Sequence, residues 1–291
     1  MSARDTSFTI QRILVALDAS PHSVAAMEIA VELAAKLKAE IAGLFVEDVE
    51  LLRMADSPSA REITYTSASH APLNRGIMER KLRAQSEHIR KALAVAAHRA
   101  QVRWTFRTIR GPVTSALREA ATGHDMVAAG RLGWSLGQRL RIGSTALELA
   151  TSDIPLLLIS GRVAFANLRL VVYYDGSPAS KDALFAAARL ARVGTKGITV
   201  LVSAADYEHE LAEIHELLRG QELEVRCRRI DLGNEMNLLR AIKEEGAILL
   251  VLAGRQLLKD REAFEAILRE VDLPLLLLGD GFNAKAQSVG V

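Results

Sequence analysis

Two α/β domains, each an open parallel sheet of about five strands flanked by helices, are what this 291-residue sequence predicts. Three observations carry the expectation. The chain repeats itself; each repeat opens with an unbroken apolar run that ends in a helix-start turn; and further short apolar runs alternate with helix-period segments. The repeat is plainest where ILVALDASPHSVAAMEIAVELAAKLKAEIAGLFV (13–46) meets LVVYYDGSPASKDALFAAARLARVGTKGITVLVS (170–203), a shift of 157 without a gap. Asp18, Ser20, Pro21 and Ser23 fall on Asp175, Ser177, Pro178 and Ser180. Ala26, Ala30, Leu33 and Ala34 then fall on Ala183, Ala187, Leu190 and Ala191, a helix-period set. DIPLLLIS (153–160) likewise answers DLPLLLLG (272–279). One register held through strand, turn and helix marks a duplication. It divides the chain into a first domain, 1–161, and a shortened second domain, 162–291, with 161–167 as the link.

Each element follows from local chemistry. Ile13–Leu17 and Leu168–Tyr174 lack polar alternation and suit central strands buried on both faces. In the Asp-x-Ser-Pro that follows, Ser20 or Ser177 caps a helix and the proline takes its first position, where no N–H is needed. Ala-rich helices are predicted over Val24–Leu37 and Lys181–Arg192, then strands over Ile41–Val46 and Ile198–Val202. The first copy continues with a polar loop (Asp48–Arg75), a long helix (about Ile77–Gln101), a strand (Arg103–Ile109) and a helix opening near Pro112. Strand Met126–Ala129, a glycine-punctuated loop, a helix from Thr145 and strand Pro155–Ile159 complete it. In the second copy a single helix, Glu208–Leu218, replaces the loop and long helix.

Composition removes several functions. Basic and acidic residues nearly cancel, 37 against 35, which leaves no basic face for nucleic acid. Aromatics at 4% are too few to build stacking platforms for single strands. The single cysteine, Cys227, rules out an internal disulfide and a thiolate metal cluster. No apolar run approaches the ~20 residues that span a bilayer, and the charged N-terminus lacks a signal-peptide core. A soluble, cytoplasmic protein without a membrane or nucleic-acid partner is expected.

The chemistry concentrates in AAGRLGWSLGQRLRIGSTALELA (128–150). Gly130 stands at the carboxyl end of a buried strand, where open α/β sheets bind ligands. Gly133 follows, then nine residues, then Gly143-Ser144-Thr145 opening a helix. Glycines here permit positive φ and let backbone N–H groups approach a phosphate, while the helix start adds donors and a positive dipole end. Thr145 and Glu148 have capping-box spacing, and Arg131, Arg139 and Arg141 raise the local potential. Together these favour a polyphosphate. Neither a Walker loop nor a Gly-x-Gly-x-x-Gly fingerprint is present.

The spacing resembles the Gly-x2-Gly-x9-Gly-Ser/Thr motif of the universal stress protein family, in its nucleotide-binding branch, and the resemblance covers both halves. It implies a tandem protein of Rossmann-like, adenine nucleotide alpha hydrolase-like domains. It further implies ATP, or ADP or AMP, in the first domain. Asp18 and Val46 would touch the adenosine and Ala16 would line its pocket through backbone. Gly130, Arg131, Gly133, Gly143, Ser144 and Thr145 would hold ribose and phosphates. The family's habit of pairing through its last strand implies that Pro155–Ile159 and Leu273–Leu278 join within the chain as a pseudo-dimer. The second copy keeps Asp175-Gly176-Ser177 and Ala253-Gly254-Arg255, but Leu257 replaces the next glycine and no Gly-Ser follows. Leucine there obstructs a phosphate, so one nucleotide per chain is expected.

Other features read as ordinary. Asp18 caps a helix whether or not it also touches a ligand. Trp134 packs the loop down or meets a partner. The seven histidines show no metal-ligand spacing, and no nucleophile–base arrangement can be read. Cys227 in EVRCRRID is a half-buried thiol on an alternating strand, unless close arginines lower its pKa. Residues 55–75 form a loop, with a flap or phosphorylation target as the sharper alternatives. The function expected is a regulatory or sensor protein, not an enzyme, that acts in a stress response through an unidentified protein partner. A slow ATPase or self-phosphorylating protein and a nucleotide-free scaffold are the competitors. Mg²⁺ at the nucleotide and a further homodimer of the tandem chain stay open.

Overall fold

The computed structural model describes residues 10–57, 61–64, 69–72, 74–131, 149, 154–159, 169–194, 197–203, 206–230, 235–253 and 273–279. The first copy contains β1 (Arg12–Leu17), α1 (Pro21–Leu37), β2 (Glu40–Asp48), α2 (Val49–Ala55), β3 (Arg61–Thr64), β4 (Ser69–Pro72), α3 (Arg75–Ala100), β5 (Trp104–Gly111), α4 (Val113–Ala121), β6 (Met126–Gly130) and β7 (Leu156–Ile159). The second contains β8 (Leu170–Tyr174), α5 (Pro178–Gly194), β9 (Gly197–Val202), α6 (Tyr207–Leu217), β10 (Glu224–Arg229), α7 (Glu235–Glu244), β11 (Leu249–Ala253) and β12 (Leu275–Leu278).

Helix starts follow the capping residues. Ser20 accepts from the Ser23 N–H with Pro21 in the first turn, Asn74 accepts from Ile77, and Asp206 accepts from His209. Helices α1 and α3 both end on a left-handed residue, Lys38 (φ 57°) and Gln101 (φ 56°). The stretch expected as a polar loop from Asp48 to Arg75 instead holds α2 and the antiparallel β3–β4 hairpin. Asp48 caps α2 through the Glu50 N–H, and Leu52 and Ala55 are buried. Seven residues with two buried positions are too few to display a helical period.

Among the described residues ten strands form one sheet in the order β10-β9-β8-β11-β12-β7-β6-β1-β2-β5. Each copy contributes five parallel strands with the same internal order, as the repeat requires. The copies meet where β7 pairs antiparallel with β12, Leu158 opposite Leu275, Leu157 opposite Leu276 and Leu156 opposite Leu277. This is the internal pairing expected for Pro155–Ile159 and Leu273–Leu278. Because the seam is antiparallel, the carboxyl ends of the two strand sets point to opposite edges of the sheet.

Helices cover both faces. One apolar cluster packs α1, α3, α5 and α6 onto one face and runs unbroken from Ile13 and Ile41 to Val172 and Val251. The other face is covered by α4, Leu149 and α7. Helices α1 and α5 touch beside the seam, so the core of one copy continues into the other.

Candidate functional site

In each copy the strand order reverses between the first and fourth strands, β1 and β6 or β8 and β11. Crossovers leave the sheet on opposite faces there, and a crevice opens outside the carboxyl ends. Of the residues expected at the site, Ala16, Asp18, Gly130 and Arg131 lie at this switch point, with Val46 one strand away on β2. Gly133, Gly143, Ser144 and Thr145 lie outside the described residues, as do Trp134, Arg139, Arg141 and the 254–272 stretch.

The ladder sets the floor of the crevice. Ala16 faces Leu44 on one side and Ala129 on the other, and Val46 faces Ile109. Alternation turns Ala16, Val46, Ala129 and Ile109 to the same face of the sheet. Ala16, Val46 and Ile109 are half-buried at its open end. Two alanines side by side leave a shallow apolar recess, with Val46 and Ile109 two residues further along on its β2–β5 side. Ala129 and Ile109 were missed in the sequence because strand register, which places them beside Ala16 and Val46, cannot be read from one chain.

Asp18 shapes the turn above the recess. Its Oδ1 accepts from the Ser20 N–H at 2.9 Å, and its own N–H points to Ser23 Oγ at 3.4 Å. Ser20 Oγ then accepts from the Ser23 N–H at 3.1 Å, closing the first turn of α1. Between them Ala19 takes φ 60°, a left-handed conformation that L residues adopt at a cost. The cap of α1 is Ser20, and Asp18 instead holds the N–H of that cap residue.

Gly130 does not take the positive φ expected of it. It is absent from the positive-φ glycines among the described residues. A Cβ on it would meet the His22 carbonyl carbon at 2.9 Å and the Ser23 nitrogen at 3.0 Å. Its missing side chain therefore lets the first turn of α1 close over the end of β6. Arg131 leaves the strand with its N–H donating to Ile159 O at 2.8 Å.

An ionic chain walls the β2–β5 side. Glu47, only 8% exposed, accepts from Arg110 Nη2 at 2.7 Å and Nε at 2.9 Å. Arg110 reaches Glu79 at 3.0 Å; Arg75 stands 3.5 Å from Glu79 and 2.9 Å from Asp56. The chain ties the carboxyl ends of β2 and β5 to the start of α3 and the residue after α2. Glu79 is shared between the two guanidiniums, and Glu47 takes two Arg110 donors on its single Oε2.

The second copy repeats the aspartate and serine bonds of the turn. Asp175 Oδ1 accepts from the Ser177 N–H at 3.0 Å, and Ser177 Oγ accepts from Ser180 at 3.2 Å. Gly176 (φ 78°) replaces Ala19. Around this turn α6 supplies carboxylates: Tyr174 OH donates to Glu213 at 2.9 Å, Lys181 pairs with Glu213, and Glu210 lies against Gly176. The ladder also corrects the alignment of Ala253-Gly254 with Ala129-Gly130. Val127 stands by Leu14 and Leu250 by Val171, so Leu252 is level with Ala129 and Ala253 with Gly130.

Cys227 is half-buried against the first apolar cluster, and burial pushes its thiol up rather than down. Strand alternation puts Arg226 and Arg228 on the other face, where both pair with Glu245 and Arg228 also with Glu244. The arginine-activated alternative is thereby removed. Among the described residues no group of three or more His, Cys, Asp or Glu is placed to hold a metal ion.

Residues 9–160, the first copy, match the family model described as the universal stress protein family. Among curated proteins no sequence match is found. Among solved structures, a universal stress protein from Archaeoglobus fulgidus DSM 4304 superposes with a TM-score of 0.72 at 17% identity, covering 94% of this chain and 98% of its own. A functionally unknown protein from Pseudomonas aeruginosa PAO1 gives 0.57 at 12% identity, with 97% of each chain covered. At such identities the two structures speak for the fold, and they do so over both halves.

Proposed function

The chain belongs to the universal stress protein family, and on that premise we propose that its first domain binds ATP, or its ADP or AMP relatives, as a regulatory or sensor protein rather than an enzyme. The observation that supports this best is the recess at the switch point of the first copy. Ala16 and Ala129 leave room for a flat apolar ring beside Val46 and Ile109, and Asp18 and Gly130 frame it from above. An adenine ring fits a surface that is apolar, flat and open at one end. The phosphates would extend from Gly130 and Arg131 toward Gly133, Gly143, Ser144 and Thr145.

The second domain acts in this reading as a pseudo-symmetric partner, with the domain boundary at 161–162. The protein works in the cytoplasm; no helix among the described residues is long and apolar enough to cross a membrane. Its output passes to a protein partner.

Mass spectrometry of the purified, denatured protein tests the proposal directly. Co-purified adenine nucleotide near one per chain is expected, and an empty protein with no affinity by calorimetry would sink it. Replacing Gly133 and Gly143 by alanine should abolish retention, while Gly254→Ala should leave it intact. In single turnover with γ-labelled ATP, phosphate release at the background rate is expected; faster release would make the protein an enzyme.

A further inference from the structure

The two copies carry different side chains at matching positions of the recess. Ala16 faces Leu44 and Tyr173 faces Leu201, so Tyr173 occupies the level of Ala16. By the same registers Ser203 follows β9 where Val46 lies in β2, Asp175 stands for Asp18 and Ile230 for Ile109. Leu252 stands for Ala129. Both alanines of the first recess are thus replaced by larger residues, on the same face of the sheet.

Tyr173 also spans the recess. It is 7% exposed, and Ile230 is buried to 8% where its counterpart Ile109 is half-open. The Ser203 side chain and the Asp175 carboxylate both lie near enough to act on the Tyr173 phenol. The ring therefore leaves the backbone at the level of Ala16 and ends at the level of Val46, below the Asp18 equivalent. Those are the positions assigned above to the adenosine. Burial pushes the phenol up from its ordinary value, so the ring stays neutral near pH 7. It offers the crevice what a purine would: a flat, uncharged aromatic face with a polar edge. Above it Gly176 and Glu210 leave no room between turn and α6.

We infer that Tyr173 is a built-in occupant of the second copy's base site, holding that half in a filled state without any ligand. The inference rests on the proposed function for its reading of this level of the fold as a base site. Once vacated, the position would take a neutral heteroaromatic ring of the adenosine class.

The test titrates adenosine, which carries no phosphate, into the full chain by calorimetry, with circular dichroism to verify folding. Wild type and Tyr173→Phe, which keeps the ring, should each take up one equivalent. Ala16→Tyr should take up none, Tyr173→Ala two, and the Ala16→Tyr/Tyr173→Ala double variant one. Tyr173→Val, suited to a strand, replaces Tyr173→Ala if the latter does not fold. The inference is overturned if folded Tyr173→Ala or Tyr173→Val gains no site, if Tyr173→Phe gains one, or if Ala16→Tyr still takes up one equivalent. A wild type that binds nothing beside a Tyr173→Ala that binds one equivalent would defeat the first-domain proposal and leave this inference standing. A binding wild type with no gain in Tyr173→Ala would do the reverse.

Discussion

The two switch points differ in what fills them, although they share strand order, turn and capping hydrogen bonds. At the first, alanines at 16 and 129 leave a recess under Asp18; at the second, Tyr173 and Leu252 fill the same levels under Asp175. The lesson is that the frame and the cavity are separable. Hydrogen bonds of the Asp-x-Ser-Pro turn hold helix to strand and persist in both copies, because losing them would leave helix-end N–H groups unpaired. The recess has no such duty, so it was free to close.

The widest division between the copies is the seam, and breaking it has the largest expected effect. Leu157 and Leu276 are paired there and both are fully buried. Leu157→Asp would bury a charge without a partner and should cost about 4 kcal/mol or more. Because the apolar cluster is continuous across the seam, we expect both copies to unfold together in a single, lowered calorimetric transition. A variant whose second copy melted at its original temperature would show that the halves are independent.

Opposite responses are expected at Ala19 and Gly176, the same turn position. Gly176→Ala must adopt φ 78° with its Cβ against Glu210, and a loss of about 2 kcal/mol should appear as a lower urea midpoint. Ala19→Gly relieves left-handed strain but adds chain entropy to the unfolded state. A gain of about 0.5 kcal/mol is the expected net. Equal signs at the two positions would show that the turns are not equivalent.

The smallest effect concerns pH. His124 has a buried Nδ1 without a hydrogen-bond partner, and burial lowers its pKa from 6.5, against a hydrogen bond with the Ala120 backbone. Protonation then favours the unfolded chain, so its contribution is complete above pH 6.5 and is lost as pH falls toward the folded-state value. The ladder places Ala247 at this level in the second copy. His124→Ala should therefore flatten the decline in urea midpoint between pH 7.5 and 5.5, a window of about two units around the histidine range. An unchanged slope would clear His124.

What could be read from sequence divides along the same line. Apolar runs at Ile13–Leu17 and Leu168–Tyr174, and the serine caps after them, announce strand, turn and helix, because those signals are local. The seam was legible as well, since DIPLLLIS and DLPLLLLG are too apolar to stand as free edges. The recess was legible only in part. Ala16, Asp18, Val46, Gly130 and Arg131 are brought to one end of the sheet, but the neighbours that make a floor, Ala129 and Ile109, depend on register. The shift of 157 already set Tyr173 on Ala16, yet the meaning of the exchange needs the side chain's direction. Matching Ala253-Gly254 to Ala129-Gly130 was off by one, and in a strand one residue turns every side chain to the other face.

The antiparallel seam also governs how the chain comes to be made. As it leaves the ribosome, β1 through β7 are complete before any residue of β12 exists, and β7 is paired with β6 alone, its outer edge uncovered. A nascent first half thus carries a sticky apolar border throughout synthesis of the second, the condition under which neighbouring chains on one message associate wrongly. Capping that border waits for β12, the last strand among the described residues.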